Sequence, residues 1–234
     1  MKFIINLPII EHKSAGVRCL LRLNDLLNLA GYHCELNSPP GPKDIAIYPD
    51  IIRGNPWGAS RVVRYMLYYT HLYFGGDRIS ASDCVIVYAD LFFKDMMEHY
   101  DGKLTRANIV TIPCMEAGLF FPEEKTIDSV CYIGKPTATC APPKDMPVIT
   151  RESMSREECA KLLRTTRNLY SLDHHSAILG EGLICGCKCW IVHDDGTKHE
   201  FYHPDPESQL QDDARDVVTA RRFAQIAIDF FANR

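Results

Sequence analysis

An α/β fold built on parallel sheets is what this sequence predicts, and three observations predict it. Short, nearly unbroken apolar runs recur along the chain, among them KFIINLP at 2–8, IAIYP at 45–49 and VIVY at 85–88. Runs that are apolar at every position, rather than at alternate ones, suit strands covered on both faces. Between them lie helical patterns and Gly/Pro-bearing loops, the alternation of a βαβ chain.

Taken in order, Lys2 to Pro8 reads as a first strand, followed by the polar loop Glu11-His12-Lys13-Ser14-Ala15-Gly16. A helix then carries Val17, Leu20, Leu21, Leu23, Leu27 and Ala30 on its apolar positions and ends at Gly31, where a residue free to adopt positive φ closes a helix. Short strands follow at His33–Leu36 and Asp44–Pro49, the second after the loop SPPGPK. Gly58 to Tyr73 is predicted as a helix whose stripe Tyr65, Tyr68, Tyr69, Leu72 belongs to the core, and Val85–Tyr88 and Ile109–Ile112 as further strands. Strand, small-residue loop and helix open a doubly wound sheet, which binds ligands outside the carboxyl ends of its strands. Ser14 and Gly16 sit where a backbone can approach a phosphate, while His12, Asp50 and Asp90 lie just past strand ends, where a general base toward a hydroxyl would be presented.

A second α/β unit starts after the linker-like AGLFFPEEK, with a strand at Val130–Ile133 leading into Gly134-Lys135. Ser155-Arg156-Glu157-Glu158 is a capping-box pattern that begins a helix to Arg164. The stretch NLYSLDHHSAILGEGLICGCKCW, 168–190, reads as strand, turn, helix closed by Gly186, and strand. A hairpin-like HDDGTKHE and an amphipathic helix from Ser208 to Phe231 complete the chain. Asp173 suits the N-cap of the helix in that central stretch, and the first-turn N–H groups there favour an anion such as a diphosphate. His175 and Ser176 occupy the same first turn. Glu181, among Ile178, Leu179, Leu183 and Ile184, is a carboxylate that needs a hydrogen-bonding partner if buried. A ribose with two hydroxyls is one such partner, and a salt bridge is another.

Composition excludes several classes. Formal charge is −4 over 234 residues, so bulk electrostatics gives no nucleic-acid-binding tail or membrane patch. No apolar run has transmembrane length, and MKFIINLPII lacks the plan of a signal peptide. Most of the ten cysteines lie inside apolar patterns, which points to buried thiols and a reducing cytoplasm rather than disulfides. Cys185, Cys187 and Cys189 with His193 have one-residue gaps, unlike the wider spacing that wraps chain around zinc.

Asp173, seven intervening residues, Glu181 and the Cys185-Gly186-Cys187 turn into a strand resemble the donor-binding motif of GT-B glycosyltransferases. Here Asp stands where that family usually has Glu, and Lys188 stands where Pro often follows the turn. SAGVRCLLRLNDLLNLAG, IAIYPDIIRGNPWGASRVVRYML, LFFPEEKTIDSVCYIGK and EECAKLLRTTRNLYSLDHHSAILGEGLICGC succeed one another in the order seen in enzymes of surface-polysaccharide synthesis within that family. The resemblance implies two Rossmann-like domains facing across a cleft, 1–120 on the acceptor side and 121–234 binding the nucleotide sugar. It implies metal-independent transfer of a hexosyl or related group to a glycan or glycolipid hydroxyl, with no cofactor beyond the donor substrate. Peripheral membrane contact is compatible with it. In that scheme Glu181 holds the ribose, Lys135, His175 and Ser176 bind the diphosphate with Ser14 and Gly16 near it, Asp173 faces the sugar, and His12 or Asp90 serves the acceptor. An epimerase of the same fold and an inactive scaffold are the rival expectations.

Overall fold

The computed structural model describes residues 1–7, 14–70, 77–134, 142, 146–150 and 153–233, and among these residues the regular structure comprises ten strands, five α-helices and two short 3-10 helices. The chain divides into two units, one formed by 1–113 with 212–234 and the other by 114–211.

In the first unit, strands β1 (Phe3–Ile5), β2 (Cys34–Leu36), β3 (Ile45–Pro49), β4 (Val62–Met66) and β5 (Cys84–Val87) form one parallel sheet in the order β2-β1-β3-β4-β5. Phe3 pairs with Cys34 on one side and Ile45 on the other, so β1 is an interior strand flanked on both sides. Every residue of β1, β3, β4 and β5 is buried, which is why their sequences are apolar without alternation but for Arg64 in β4, whose charge is paired with Asp83. Helix α1 (Ala15–Leu29) buries Val17, Leu20, Leu23 and Leu27, and Gly31 follows it at φ 91°. Helix α2 (Asp90–His99) buries Phe92, Phe93 and Met96.

The helix expected at Gly58–Tyr73 is replaced by β4, and Leu72 and Tyr73 fall outside the described residues. Val62-Val63 are β-branched and Tyr65 is aromatic, side chains that fit a pleated, buried surface. Tyr65 does lie in the core: its hydroxyl donates to Val110 O at 2.8 Å and its ring meets Phe223 edge-on at 5.1 Å. Of the strand expected at 109–112, only a bridge from Ile109 to Val87 forms.

Phe223 belongs to α5 (Asp213–Ala232), expected with the second domain but packed in the first unit. Ala220, Ala224 and Ala227, with Phe223 among them, form the buried face that α5 sets against α1 and the sheet. Asp216, fully buried, accepts from Arg22 Nη2 at 3.3 Å, Arg215 Nε at 3.0 Å and Asp212 N at 2.9 Å, which ties α5 to α1. The boundary expected at 120/121 falls at 113/114, because Phe120 is part of the second core.

The second unit holds β6 (Ile127–Ile133), β7 (Val148–Thr150), β8 (Thr166–Ser171), β9 (Lys188–Val192) and β10 (Lys198–Glu200) in the order β10-β9-β8-β6-β7. All pairs are parallel except the β9–β10 hairpin, which turns through Gly196 at φ 80°. Helix α3 (Arg156–Thr165) starts in the capping box legible in the sequence, Ser155 Oγ accepting from Glu158 N while Glu158 accepts from Ser155 N. Helix α4 (Ala177–Ile184) packs with α3 over a core of Val130, Leu163, Leu169, Ile178, Leu179 and Cys189. In each unit the first strand lies between the second and the third, the order of a doubly wound sheet. Among the described residues no helix is long and apolar enough to cross a membrane.

Replacing Asp216 with Ala should leave the half-buried Arg22 with Asp213 as its acidic partner and strip Arg215 Nε and Asp212 N of a buried acceptor. The stability of the first unit should fall by about 2 kcal/mol. Urea unfolding followed by circular dichroism measures this, and an unchanged midpoint would show that α5 is held by apolar packing instead.

Candidate functional site

A doubly wound sheet opens a crevice where its strand order reverses, outside the carboxyl ends of the two strands that diverge. In the second unit these are β6, ending Ile133-Gly134, and β8, ending Ser171-Leu172-Asp173. Leu172 N donates to Tyr132 O at 3.0 Å and keeps the two ends together. A side chain at position 134 would run into the Asp173 carboxylate and the Tyr132 ring, so glycine is what lets the ends close.

Asp173 is 8% exposed. Its backbone N–H donates to Ser171 Oγ at 3.2 Å, Ser171 Oγ donates to its carbonyl at 2.8 Å, and its Oδ1 accepts from His175 N at 3.4 Å. These bonds pin the carboxylate in the turn before α4. The N-cap expected at Asp173 is Ser176, because three residues of turn intervene before the first helical residue, Ala177. Asp173, His175 and Ser176 therefore lie together at the amino end of α4, the positive end of its dipole.

Glu181, on the second turn of α4, is 2% exposed. Arg156 Nη1 donates to its Oε1 at 2.7 Å, while Nη2 donates to Glu116 Oε2 at 2.7 Å and the guanidinium lies 4.8 Å from the Phe120 ring centroid. Burial alone would lower the Arg156 pKa, but its two carboxylates outweigh burial and raise it. Sequence reading missed Arg156 as a site residue. A signal was present: a cation at the first helical position opposes the helix dipole, so its charge must be used elsewhere.

The remaining candidates are scattered. His12 and Lys135 lie outside the described residues. Ser14 is the N-cap of α1, with its carbonyl accepting from Arg18 N at 3.0 Å. A Cβ at Gly16 would sit 3.4 Å from Leu67 Cδ1, so that position does not demand glycine. Asp90 begins α2 with its side chain 62% exposed and ion-paired with Arg106. Asp50, the third strand-end candidate, is only 3% exposed at the end of β3 and accepts from Leu67 N at 3.3 Å.

Cys185, Cys187 and Cys189 are buried thiols in the core beneath α4. The Sγ of Cys187 donates to the Leu163 and Thr166 carbonyls at 3.2 Å, and that of Cys189 to the Leu179 carbonyl at 3.4 Å. Burial pushes the thiols up, to about 12 for Cys185 and about 11 for Cys187. Among the described residues no group of three or more His, Cys, Asp or Glu is placed to hold a metal ion.

Glu181→Ala and Arg156→Ala should each cost about 3 kcal/mol of stability, since either leaves a buried charge short of a partner. The double variant should lose less than the sum, with a coupling of about 1–3 kcal/mol in a denaturant cycle. Additive losses would show that the pair is not energetically linked.

The thiols set an alkaline limit. From pH 9 upward an unfolded chain releases thiol protons that the fold retains, so their contribution is whole below the ordinary value of 9.0 and declines as pH rises toward about 12. Urea midpoints should fall above about pH 9, and fall less steeply in Cys187→Ala; parallel profiles in the two proteins would remove the thiols as the cause. No family model matches the chain, and neither a curated protein nor a solved structure matches it.

Proposed function

We propose that the chain is a GT-B-class glycosyltransferase, moving a sugar from a nucleoside diphosphate sugar to a hydroxyl of a glycan or glycolipid. The observation that carries this reading is the meeting of Gly134 and Asp173 at the reversal of the second sheet, directly before the amino end of α4. That crevice is where a doubly wound sheet takes nucleotides, and a helix amino end compensates a diphosphate without a bound metal.

In this reading Lys135, His175, Ser176 and the first turn of α4 take the diphosphate, and Asp173 faces the sugar. Glu181 takes the ribose by exchanging its bond to Arg156 for the ribose hydroxyls, and Glu116 keeps a partner on the guanidinium meanwhile. The acceptor oxygen bonds to the anomeric carbon as the carbon–oxygen bond to the β-phosphate breaks. The nucleoside diphosphate leaves with the electron pair, and the acceptor proton passes to a base. Asp90 is already paired with Arg106, which leaves His12 and Asp50 of the three sequence candidates for that base.

The Glu181–Arg156 pair also favours a second reading, a binding protein or scaffold in which α4 is locked to α3 and Glu181 is structural. One measurement separates them. Nucleoside diphosphate at a hundredfold over its dissociation constant should stabilise a binding protein by about 2.7 kcal/mol, raising the midpoint of the melting transition that includes the second unit by roughly 5–10 °C. The response should single out one base among UDP, GDP, ADP, CDP and TDP, and Asp173→Asn should keep the shift while losing sugar transfer. If no nucleotide moves the melt at millimolar concentration, the scaffold reading takes its place.

A further inference from the structure

Three imidazoles, none of them used in the donor reading, meet at the turn end of the β9–β10 hairpin. The rings of His174 and His193 lie 4.8 Å apart at 73°, and those of His193 and His199 lie 4.8 Å apart at 26°. His193 Nε2 and His199 Nδ1 are 2.7 Å apart. Of two nitrogens at that distance one donates and the other accepts, so the neutral pair holds a single proton between the rings. His174 Nε2 lies 3.2 Å from Val192 O, and the His175 ring is 6.3 Å from that of His174.

Most of the charged groups around the cluster are hydrogen-bonded or ion-paired elsewhere, although Asp195 also acts on His193 through space. The Asp195 carboxylate accepts from Thr197 N at 2.9 Å and Thr197 Oγ1 at 2.6 Å. Glu200 pairs with Lys188 at 3.4 Å, and Lys198 Nζ lies over the Tyr170 and Trp190 rings at 4.9 and 5.3 Å. Asp173 accepts from His175 N and packs on Gly134. Asp194 is exposed in the hairpin turn and opposes an anion.

A second proton on the His193–His199 pair sets two N–H donors against each other. An oxyanion accepting from both relieves that repulsion and gains two charge-assisted hydrogen bonds. We propose that His174, His193 and His199 form a binding site for a tetrahedral oxyanion, a phosphate or sulfate group, that fills as the rings protonate. The positive end of α4, three residues after His174, adds to its attraction for the anion. The group it takes is either a phosphate of the donor or an anionic substituent of the acceptor glycan.

Sulfate is the appropriate first probe, because its charge is constant between about pH 5.5 and pH 8, where imidazoles titrate. In the full chain, sulfate should move the His193 and His199 ring-proton NMR signals, with affinity at least about tenfold tighter at the lower pH, or about 1.4 kcal/mol. The variant His193→Gln/His199→Gln should lose that gain while its circular dichroism is unchanged. If that variant fails to fold, His174→Gln provides the same reading from the turn before α4. Equal sulfate affinity at the two pH values, or the full gain kept in a folded variant, overturns the site. Pyrophosphate and glucose 6-phosphate then tell the source: displacement by a saturating nucleoside diphosphate identifies the donor phosphate, and simultaneous binding identifies an anionic glycan. The donor reading fails separately. A nucleotide melting shift that survives in the histidine variant upholds it whatever sulfate does, and pH-dependent sulfate binding stands even where no nucleotide binds.

Discussion

Parallel pairing is the constraint on which everything else in this chain depends. Strands that run the same way put all their carboxyl ends on one edge of the sheet, and each connection must cross back over the body of the unit. With β1 and β6 flanked on both sides, the next two strands of each unit must lie on opposite sides of them. The loops leaving that strand and its later neighbour then diverge, and a crevice is left between them. Gly134 and Asp173 occupy that position in the second unit, while Asn6 and Asp50 follow β1 and β3 in the first. The two aspartates, 8% and 3% exposed, are topological counterparts. That correspondence is invisible as sequence similarity, because the residues between the strands share no pattern.

The second unit's interior is held by charge as well as by apolar contact. Arg156 fastens the start of α3 to α4 through Glu181 and to the entry segment through Glu116. A buried ion pair of this kind seldom adds much net stability over an apolar substitute, but it is costly to break. It also fixes one arrangement of α3 on α4. A ligand that needs the Glu181 carboxylate must offer hydrogen bonds good enough to replace those of a guanidinium.

Much of the fold was legible in the sequence because buried parallel strands and capped helices are local signals. The apolar runs at β1, β3 and β5, the capping box at Ser155–Glu158 and the Gly196 turn needed no tertiary information. β4 was misread because Tyr65, Tyr68 and Tyr69 also recur at helical spacing, and a short apolar run has no period of its own. The place of α5 was misread because an amphipathic face shows that a helix is covered, not by which core. At the site, Asp173, His175 and Ser176 were legible as residues before a helix, though the cap itself fell to Ser176. The partners of Glu181, and the meeting of His174 with His193 and His199, were not. Those contacts join positions up to 40 residues apart, from Glu116 to Arg156, and depend on how strands and helices are brought together, which composition does not encode.

The place of α5 has a consequence for biosynthesis. All of the second unit is encoded between the two parts of the first, so translation delivers residues 114–211 before the helix that completes the other core. Until then the nascent chain carries α1 with the partners of Arg22, and the contact of Tyr65 with Phe223, still missing. The second unit, by contrast, is contiguous and can close as soon as β10 clears the ribosome. The half synthesised first is therefore the half that finishes last, and its unfinished sheet is the surface that chaperones and proteases meet during synthesis.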